Sequence, residues 1–421
     1  MVEWGKDGSL CSGEETDALR LLGRIVAGLS TESNIDWACI VDVARRQGVS
    51  AFLFWRLGES QTGAEGGADP PQEVMDELRQ DLYAAATQVM VAERQLATVL
   101  SALSEAGVPA LVVKGAATAT FYADPALRSY SDLDIMVPEA QLAMAEHALN
   151  DLGYECFASK AWWLDHFHHL PPMAGKDGGL LVELHWGLDY QEDKGRLPAD
   201  DLWARAVPWN VQGRPALRLD AVDAVLHLCR HAVVQHRVYG AFRSLCDLAQ
   251  ITESWSHEEW TMLGRRALDY GLARSVYLML VLAGQALNLA VPAEVISTLR
   301  PPGTLPEPGE LMGRLMRSGA APGRVSVGAV QAAVDGPLGP RLHHLVGSLL
   351  LPREGMAMVY KIAVDSPWIW LTYLWRPVDL LWRYGRSIWR TVRGERGAQA
   401  IWEREVWLER WLRGDEQLDG L

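Results

Sequence analysis

The sequence predicts an α+β protein in which a mixed sheet is flanked by helices. Apolar residues recur with a helical period over residues 72–106 and again from residue 221 onward. Between these stretches, residues 132–137 and 180–186 alternate polar and apolar side chains with the period of a strand. Helical segments on both sides of a strand-rich centre are typical of the α+β class.

Changes in composition divide the 421-residue chain into five parts. A chain of this length can bury more than one core, and breaks rich in Gly and Pro mark the expected boundaries. We expect an N-terminal helical segment (1–107), a central α+β core (108–220), a helical domain (221–300), a Pro/Gly-rich linker (301–345) and Trp/Arg-rich C-terminal helices (346–421).

The overall charge restricts the class of partner. The formal net charge is −14 and the isoelectric point is near 5.3. We therefore expect no long nucleic acid as a partner, because such binding depends on the neutralisation of phosphates. Five scattered cysteines show no metal-binding spacing, and charged residues interrupt any apolar run at the N-terminus. These features predict a cytoplasmic protein with free thiols.

A strand, a sharp turn and a helix are predicted at the start of the central core. Residues 110–113 are apolar, Gly115 lies where this strand must turn, and the Ala-rich residues 116–120 begin a helix. Backbone N–H groups at a helix N-terminus attract phosphate, and Lys114 adds a positive charge beside them. Arg128 is a second candidate phosphate contact, because guanidinium binds oxyanions through two hydrogen bonds.

Two carboxylates lie on the next predicted strand. Asp132 and Asp134 are one residue apart, so both point to one face, while Leu133, Ile135 and Val137 face an apolar core. Carboxylate oxygens suit Mg²⁺, which completes its shell with water and phosphate oxygens, and Mn²⁺ accepts similar ligands. The two aspartates are therefore candidate catalytic metal ligands.

A third carboxylate is predicted on a neighbouring strand. In residues 180–186, alternation places Glu183 and His185 on one face. Glu183 can complete a carboxylate triad, with His185 beside it. Sites with two metal ions activate the attacking oxygen and stabilise the leaving oxygen during in-line displacement at phosphorus.

These residues also have structural alternatives. An Asp-x-Asp pair occurs at solvated strand ends, and in glycosyltransferases that hold a nucleotide sugar through a metal. Lys114 is alternatively a surface residue with an extended side chain, and Glu183 is alternatively paired with a basic residue. Arg128 is equally compatible with a structural pair to Asp132 or Asp124.

The helical domain supplies a further group of candidate residues. His227 and His231 are four residues apart on one helical face. His231, His236 and Arg243 are candidates to line an acceptor cleft, although packed and hydrogen-bonded histidines are the alternative for the helical pair. A zinc site formed by these two histidines and the histidines of residues 166–169 is a further alternative. The sequence lacks the Cys-x-x-Cys or His-Glu-x-x-His spacing that is typical of zinc sites.

In combination, these motifs resemble one family. A Lys-Gly turn, Tyr-x-Asp-Pro-x-x-Arg, Asp-x-Asp and Glu-x-His-Trp follow one another at residues 113–115, 122–128, 132–134 and 183–186. This order is similar to that of the nucleotidyltransferase-like proteins of bacterial peptide-modification and polysaccharide clusters, which are related to the DNA polymerase β superfamily. Further matching elements extend the resemblance over most of the chain beyond residue 80: His-Leu-Cys-x-His at 227–231, Leu-x-Asp-Leu-Ala at 245–249 and Leu-Trp-Arg-Pro at 374–377.

The resemblance implies a minimal nucleotidyltransferase (polymerase β-like) core over residues 108–220, with Asp132, Asp134 and Glu183 as metal ligands. The wider superfamily opens the site with Gly-Ser or Gly-Gly, whereas this chain has Lys114-Gly115, which leaves the phosphorylated donor open. The expected activity moves a nucleotidyl group from a nucleoside triphosphate, ATP foremost, to a small-molecule or peptide acceptor in biosynthesis, with Mg²⁺ or Mn²⁺. A non-catalytic binding module and a phosphotransferase on the same scaffold are the alternatives.

The C-terminal region has an unusual composition. Eight of the 18 tryptophans lie between Trp368 and Trp411, interleaved with arginines. We expect helices that pack these tryptophans against the helical domain, and contact with a membrane surface is the alternative. The apolar run is too short and too often interrupted by charge for a helix that spans a bilayer.

Overall fold

The computed structural model describes most of the chain between residues 12 and 414. The described residues are 12–29, 35–60, 70–156, 163–164, 167–189, 197–302, 351, 353–360, 362, 366–392, 406–412 and 414. From residue 303 onward, the linker expected at residues 301–345 lies outside them.

The described residues form a mixed sheet surrounded by helices, which confirms the predicted α+β class. The strands are β1 (Leu111–Val113), β2 (Asp132–Met136), β3 (Tyr154–Cys156), β4 (Met173–Gly175), β5 (Leu181–His185), β6 (Val207–Val211) and β7 (Arg214–Arg218). The helices are α1 (Ser12–Val26), α2 (Trp37–Arg46), α3 (Ser50–Ser60), α4 (Gln72–Glu105), α5 (Gly115–Ala119), α6 (Leu142–Asp151), α7 (Ala199–Arg205), α8 (Ala221–Arg230), α9 (Phe242–Thr252), α10 (His257–Asp269), α11 (Ala273–Leu287), α12 (Ala293–Leu299), α13 (Arg353–Tyr360) and α14 (Ile369–Val392).

The pairing of the central strands brings the motifs together. The strand order is β3-β4-β5-β2-β1-β7-β6, and β2 runs antiparallel to β1 and parallel to β5. In this register Asp134 lies opposite Val113 on one side and opposite Glu183 on the other. The acidic positions and the end of β1, where Lys114 follows, therefore meet at the middle of the sheet.

The two faces of the sheet bury separate cores. Leu133, Ile135 and Leu184 belong to a core shared with the C-terminal half of α4. Leu111 and Met136 point to the opposite face, into a larger core shared with the helical domain. The alternation predicted for β2 and β5 is confirmed, and the acidic side chains lie on the face that the helical domain covers.

One predicted strand lies elsewhere. The sequence predicts a hairpin in which residues 167–171 pair with residues 180–186, but the strand that pairs with β5 on this side is β4. Residues 168–170 run instead along the end of β5, where Leu170 N–H donates to Leu184 O at 2.8 Å and His169 forms an isolated bridge with His185. This path brings two more imidazoles to the acidic centre.

Sequence reasoning missed the hairpin of β6 and β7. Gln212 and Gly213 connect these strands with φ values of 48° and 84°, as a two-residue hairpin turn with left-handed central residues requires. The alternation around Trp209 and this Gln-Gly pair were the available signals. The hairpin extends the sheet next to β1, because β7 pairs in parallel with it.

The N-terminal helices pack directly on the helical domain. Leu19, Leu22 and Phe52 are buried in the same core as Leu278 of α11. At Gly23, an added β-carbon would lie 2.2 Å from the carbonyl oxygen of Ala286. The two helical parts of the chain therefore share one interior beside the sheet.

A buried ion pair joins the central core to the helical domain. Arg128 donates to both carboxylate oxygens of Asp247 on α9, from Nε at 3.2 Å and from Nη2 at 2.9 Å. Tyr122 O–H donates to the same carboxylate at 2.8 Å. Arg128 thus forms a structural pair, as the alternative interpretation expected, but its partner is neither Asp132 nor Asp124.

The tryptophans of the C-terminal region fall into two groups. Trp411 is fully buried in the main core, as predicted for helices packed against the helical domain. On α14, however, Trp375 and Trp382 are 54% and 80% exposed, so the packing prediction is wrong for these residues. None of the described helices is both long enough and apolar enough to cross a membrane.

The Gly23 contact predicts that substitution by alanine has opposite effects on stability at two helical glycines, Gly23 and Gly264. A β-carbon at Gly23 would overlap the Ala286 backbone, so we expect Gly23→Ala to lower the free energy of unfolding by about 1–3 kcal/mol. At Gly264 of α10 a β-carbon meets nothing within 4 Å, so Gly264→Ala should raise it by about 0.5–1 kcal/mol. Urea unfolding of both variants tests this, and shifts of the same sign would contradict the packing described.

The Arg128–Asp247 pair predicts a large loss of stability. Asp247→Ala leaves a buried guanidinium without its carboxylate, which should cost about 3–5 kcal/mol. Tyr122→Phe removes one hydrogen bond and should cost about 1 kcal/mol. Glu155→Ala, which breaks an exposed pair with Lys176, is the control and should change stability by less than about 0.5 kcal/mol. Similar unfolding midpoints for Asp247→Ala and Glu155→Ala would show that the buried pair does not join the two parts.

Candidate active site

A buried carboxylate lies at the centre of the site. Asp134 Oδ1 accepts hydrogen bonds from Lys114 Nζ at 2.6 Å and from His185 Nε2 at 2.8 Å. Its other oxygen, Oδ2, is buried and has no hydrogen-bond partner among the described residues. Burial works to raise the pKa of Asp134, but Lys114 and His185 outweigh it and the pKa is lowered. The carboxylate is therefore ionised.

Glu183 completes a group of potential metal ligands. One ligand atom each of Asp134, Glu183 and His185 lies within 4.8 Å of the others, and we call these three residues the metal-binding group. Glu183 Oε2 is 3.5 Å from His185 Nε2. The donor set of two carboxylates and an imidazole fits a divalent cation, and the unpartnered Oδ2 of Asp134 is available to one.

The histidines proposed for zinc do not form a second such group. Among the described residues, the metal-binding group is the one set of three His, Cys, Asp or Glu side chains with this proximity. His166 lies outside the described residues. The zinc alternative is therefore unsupported in the part of the chain that the structure describes.

Asp132 lies beside the metal-binding group. It begins β2, is partly exposed and lines the same cavity, but it is not one of the three clustered residues. Burial raises the pKa of Asp132 and Asp134 raises it further, while Lys114 acts in the opposite direction. Its role as a metal ligand stays a prediction.

The Lys-Gly turn differs from the sequence interpretation in one respect. The left-handed backbone lies at Lys114, with φ 52° and ψ −131°, and not at Gly115. Gly115 is required for another reason, because a β-carbon there would approach Tyr130 Cβ to 2.7 Å. Strain of this kind persists only where the surroundings hold it, and here the Asp134 ion pair holds Lys114. The following helix, α5, is only five residues long.

Two further imidazoles adjoin the metal-binding group. The rings of His168 and His169 lie 5.4 and 4.9 Å from the ring of His185, centroid to centroid. Burial, together with the nearby His185, lowers the pKa of His168 to about 2 and that of His169 to about 4. Both rings are therefore neutral at pH 7.

The helical domain forms the opposite wall of a cavity of about 510 Å³. Here α8 continues as a π-helix over His231–Gln235, whereas the sequence predicts one α-helix over residues 221–235. A π-turn shifts the register of side chains and is frequent at functional sites. His231 lies at this transition, and its ring is 5.7 Å from that of His227 and 4.5 Å from that of His236. All three histidines line the cavity.

Two polar side chains of this wall make no hydrogen bond to the described residues. His227 is 4% exposed, and neither of its ring nitrogens has a hydrogen-bond partner among the described residues. Burial lowers its pKa well below the usual value, so the ring is neutral. Arg243 also lines the cavity, and no hydrogen bond or ion pair links it to the described parts of the chain. A buried group without a partner is costly, so both side chains are available to a ligand.

The segment after the π-helix is strained. Arg237 and Val238 both have positive φ values, 49° and 67°, which is an unfavourable conformation for a β-branched residue. Arg237 Nη1 donates to Glu409 Oε2 at 2.7 Å. Residues 406–412 therefore help to hold this part of the cavity wall.

The cavity gathers seven of the eight predicted site residues: Lys114, Gly115, Arg128, Asp132, Asp134, Glu183 and His231. The eighth, His185, is fully buried behind Asp134. Sequence reasoning missed the role of Asp247 as the partner of Arg128, although the Leu-x-Asp-Leu-Ala element contains it. It considered His168 and His169 only as zinc ligands.

Comparisons with known proteins identify the family of the chain. No curated protein matches the chain. A solution structure of the antibiotic-resistance factor ANT(2'')-Ia matches 47% of this chain and 96% of that chain, at 17% identity and a TM-score of 0.32. A crystal structure of an antigenic nucleotidyltransferase-like protein from Paracoccidioides brasiliensis matches 48% and 95%, at 12% identity and a TM-score of 0.27. A family model described as uncharacterised nucleotidyltransferase matches residues 33–288, which is more than half of the chain, and the protein therefore belongs to this nucleotidyltransferase family.

Proposed function

We propose that the protein is a metal-dependent nucleotidyltransferase that moves a nucleotidyl group from a nucleoside triphosphate to a small-molecule or peptide acceptor. ATP is the expected donor. The observation that carries the proposal is the metal-binding group, in which Asp134 and Glu183 line a cavity of about 510 Å³ and His185 lies behind Asp134, in a chain of this family. The cavity volume is within the range of small-molecule sites.

The charge of the site supports a requirement for a cation. Three acidic side chains, Asp132, Asp134 and Glu183, line one wall of the cavity, where Lys114 is the basic side chain beside them, and Arg243 lies on the opposite wall. Arg128 is balanced by Asp247. A triphosphate would therefore be repelled by the acidic side chains unless additional positive charge is bound with it.

The side chains of the site are suitable ligands for Mg²⁺ or Mn²⁺. Asp134 and Glu183 would hold the ion, with Asp132 as the predicted further ligand, and the imidazole of His185 makes Mn²⁺ as suitable as Mg²⁺. A bound ion would offset phosphate charge and polarise the phosphorus that the acceptor attacks.

Lys114 has a separate role in this proposal. Burial acts to lower its pKa, but Asp134 outweighs burial and the pKa is raised, so the side chain is charged. Without a ligand, its ammonium group is paired with Asp134. When Asp134 binds a cation, Lys114 is free to pair with the donor phosphates, beside Gly115.

The opposite wall offers a place for the acceptor. His231, His236 and Arg243 face the cavity from the helical domain, and the unpartnered ring of neutral His227 can donate one hydrogen bond and accept another. An acceptor held there would lie across from the carboxylates. Glu183, with an 18% exposed side chain, is the proposed recipient of the acceptor proton, because Oδ1 of Asp134 already accepts two hydrogen bonds.

The first experiment measures melting temperature and product release with Mg²⁺ or Mn²⁺ and each nucleoside triphosphate. A donor at one hundred times its Kd should stabilise the native protein by about 2.7 kcal/mol, and pyrophosphate should be the product. We expect Asp134→Asn and Asp132→Asn to reduce metal-dependent turnover at least about a hundredfold. Glu155→Gln, an exposed acid of β3 in the same sheet, is the matched control and should retain activity.

The outcomes separate the alternatives. Release of a nucleoside diphosphate instead of pyrophosphate would assign the site to phosphoryl transfer. Full activity of Asp134→Asn would contradict the proposed mechanism. No stabilisation by any triphosphate would favour the non-catalytic binding module.

A further inference from the structure

The exposed surface of α14 is apolar over several turns. Seven large apolar side chains of this helix are between 48% and 80% exposed: Trp370, Leu371, Leu374, Trp375, Val378, Leu381 and Trp382. With 3.6 residues per turn, they fall within an arc of about 140°. They therefore form one continuous stripe, which we call the outer face of α14.

The inner face of the same helix is more polar than the outer face. Thr372, Arg376 and Asp379 are only 5–8% exposed. Asp379 accepts a hydrogen bond from Tyr360 O–H of α13 at 2.9 Å. Ile369, on the inward side, is fully buried in a small core with Met356 and Ala357 of α13, so this side makes both polar and apolar contacts. A continuous apolar stripe on the outward side is unusual for a surface helix, which normally turns its apolar side inward.

The charge of the sequence after Asp379 indicates which kind of surface the outer face binds. Between Asp379 and Glu395 the chain carries four arginines and no acidic residue: Arg383, Arg386, Arg390 and Arg393. The protein as a whole has a formal net charge of −14. An apolar face that is followed in the sequence by a run of arginines complements an anionic and apolar surface. The arginines disfavour self-association, because a second copy of the chain would add four more positive charges.

We propose that the outer face of α14 is a membrane-binding surface that lies in the interface of a bilayer containing anionic lipids. A 24-residue helix with Trp and Leu on one face and neighbouring Arg residues has the composition of interfacial helices. Tryptophan favours the level of the lipid headgroups, and arginine is attracted to anionic lipid. The inference does not depend on the proposed catalytic function.

Sedimentation of the full-length protein with lipid vesicles tests the proposal. The probes are vesicles of phosphatidylcholine alone and of phosphatidylcholine with 30% phosphatidylglycerol. We expect at least about tenfold tighter binding to the anionic vesicles, because each arginine near the surface adds to the attraction. We expect the combined change Leu374→Ser, Leu381→Ser and Trp382→Ser to weaken this binding at least about tenfold.

A matched variant tests whether vesicle binding requires the outer face of α14 or only exposed apolar side chains in general. Tyr83, Met90 and Val91 of α4 are also 54–69% exposed, and their combined change to Ser should leave vesicle binding intact. Because all six substituted residues are exposed, both variants should keep the melting temperature of the unmodified protein. Arg383→Gln, Arg386→Gln and Arg390→Gln together should reduce binding to anionic vesicles to the level on neutral vesicles.

Three results would overturn the proposal. The first is an absence of binding to anionic vesicles, and the second is equal binding by the α14 and α4 triple variants. The third is a dimer in solution that only the α14 variant dissociates, which would assign the outer face to contact between copies of the chain.

Discussion

The ionised carboxylate of Asp134, held by Lys114 and His185 inside the sheet, is the interaction on which the site depends. Two hydrogen bonds of 2.6 and 2.8 Å converge on one oxygen of this buried acid. A buried charge is tolerated only with good partners, so three separate segments must be positioned together. The pairing of β2 with β1 and β5 brings them together, because Asp134 lies opposite both Val113 and Glu183. The left-handed backbone at Lys114 follows from the same requirement, since the lysine must turn back from the end of β1 towards the carboxylate.

A second buried ion pair gives the site its opposite wall. Arg128 and Asp247 connect the central core to α9, and Tyr122 adds a third hydrogen-bonding group. With the helical domain held over one face of the sheet, the cavity has a carboxylate wall and a wall of neutral imidazoles. The neutral rings are a consequence of burial between cations, because Lys114 lowers the pKa of His227 and His231 in addition to the effect of burial. Polar groups that can both donate and accept hydrogen bonds therefore face the carboxylates and the ammonium group of Lys114 across one space.

Local patterns predicted one part of this arrangement, and contacts between distant segments created the rest. Strand alternation correctly placed Asp134, Glu183 and His185 on one face, because a period of two residues depends only on neighbours in the chain. The partner of Arg128 could not be read in this way, since Asp247 is 119 positions away. The path of residues 168–170 along β5 and the π-helix at His231 are tertiary features that override helix and strand periodicity. At Gly115 the residue type was informative, but its cause is the Tyr130 side chain and not the turn itself.

The C-terminal residues are coupled to the cavity through a short series of contacts. Trp411 is buried in the main core with Arg274 above its ring at 5.3 Å, and Glu409 pairs with Arg237 at 2.7 Å. Arg237 and Val238 are the strained residues that follow the π-helix, and their neighbours His236 and Tyr239 line the cavity. A left-handed Val238 costs of the order of 1–3 kcal/mol, so the conformation of this wall needs the support that residues 406–412 supply. The same C-terminal region carries the outer face of α14. Residues 406–412, which follow α14 in the sequence, therefore support the wall that His236 and Tyr239 line.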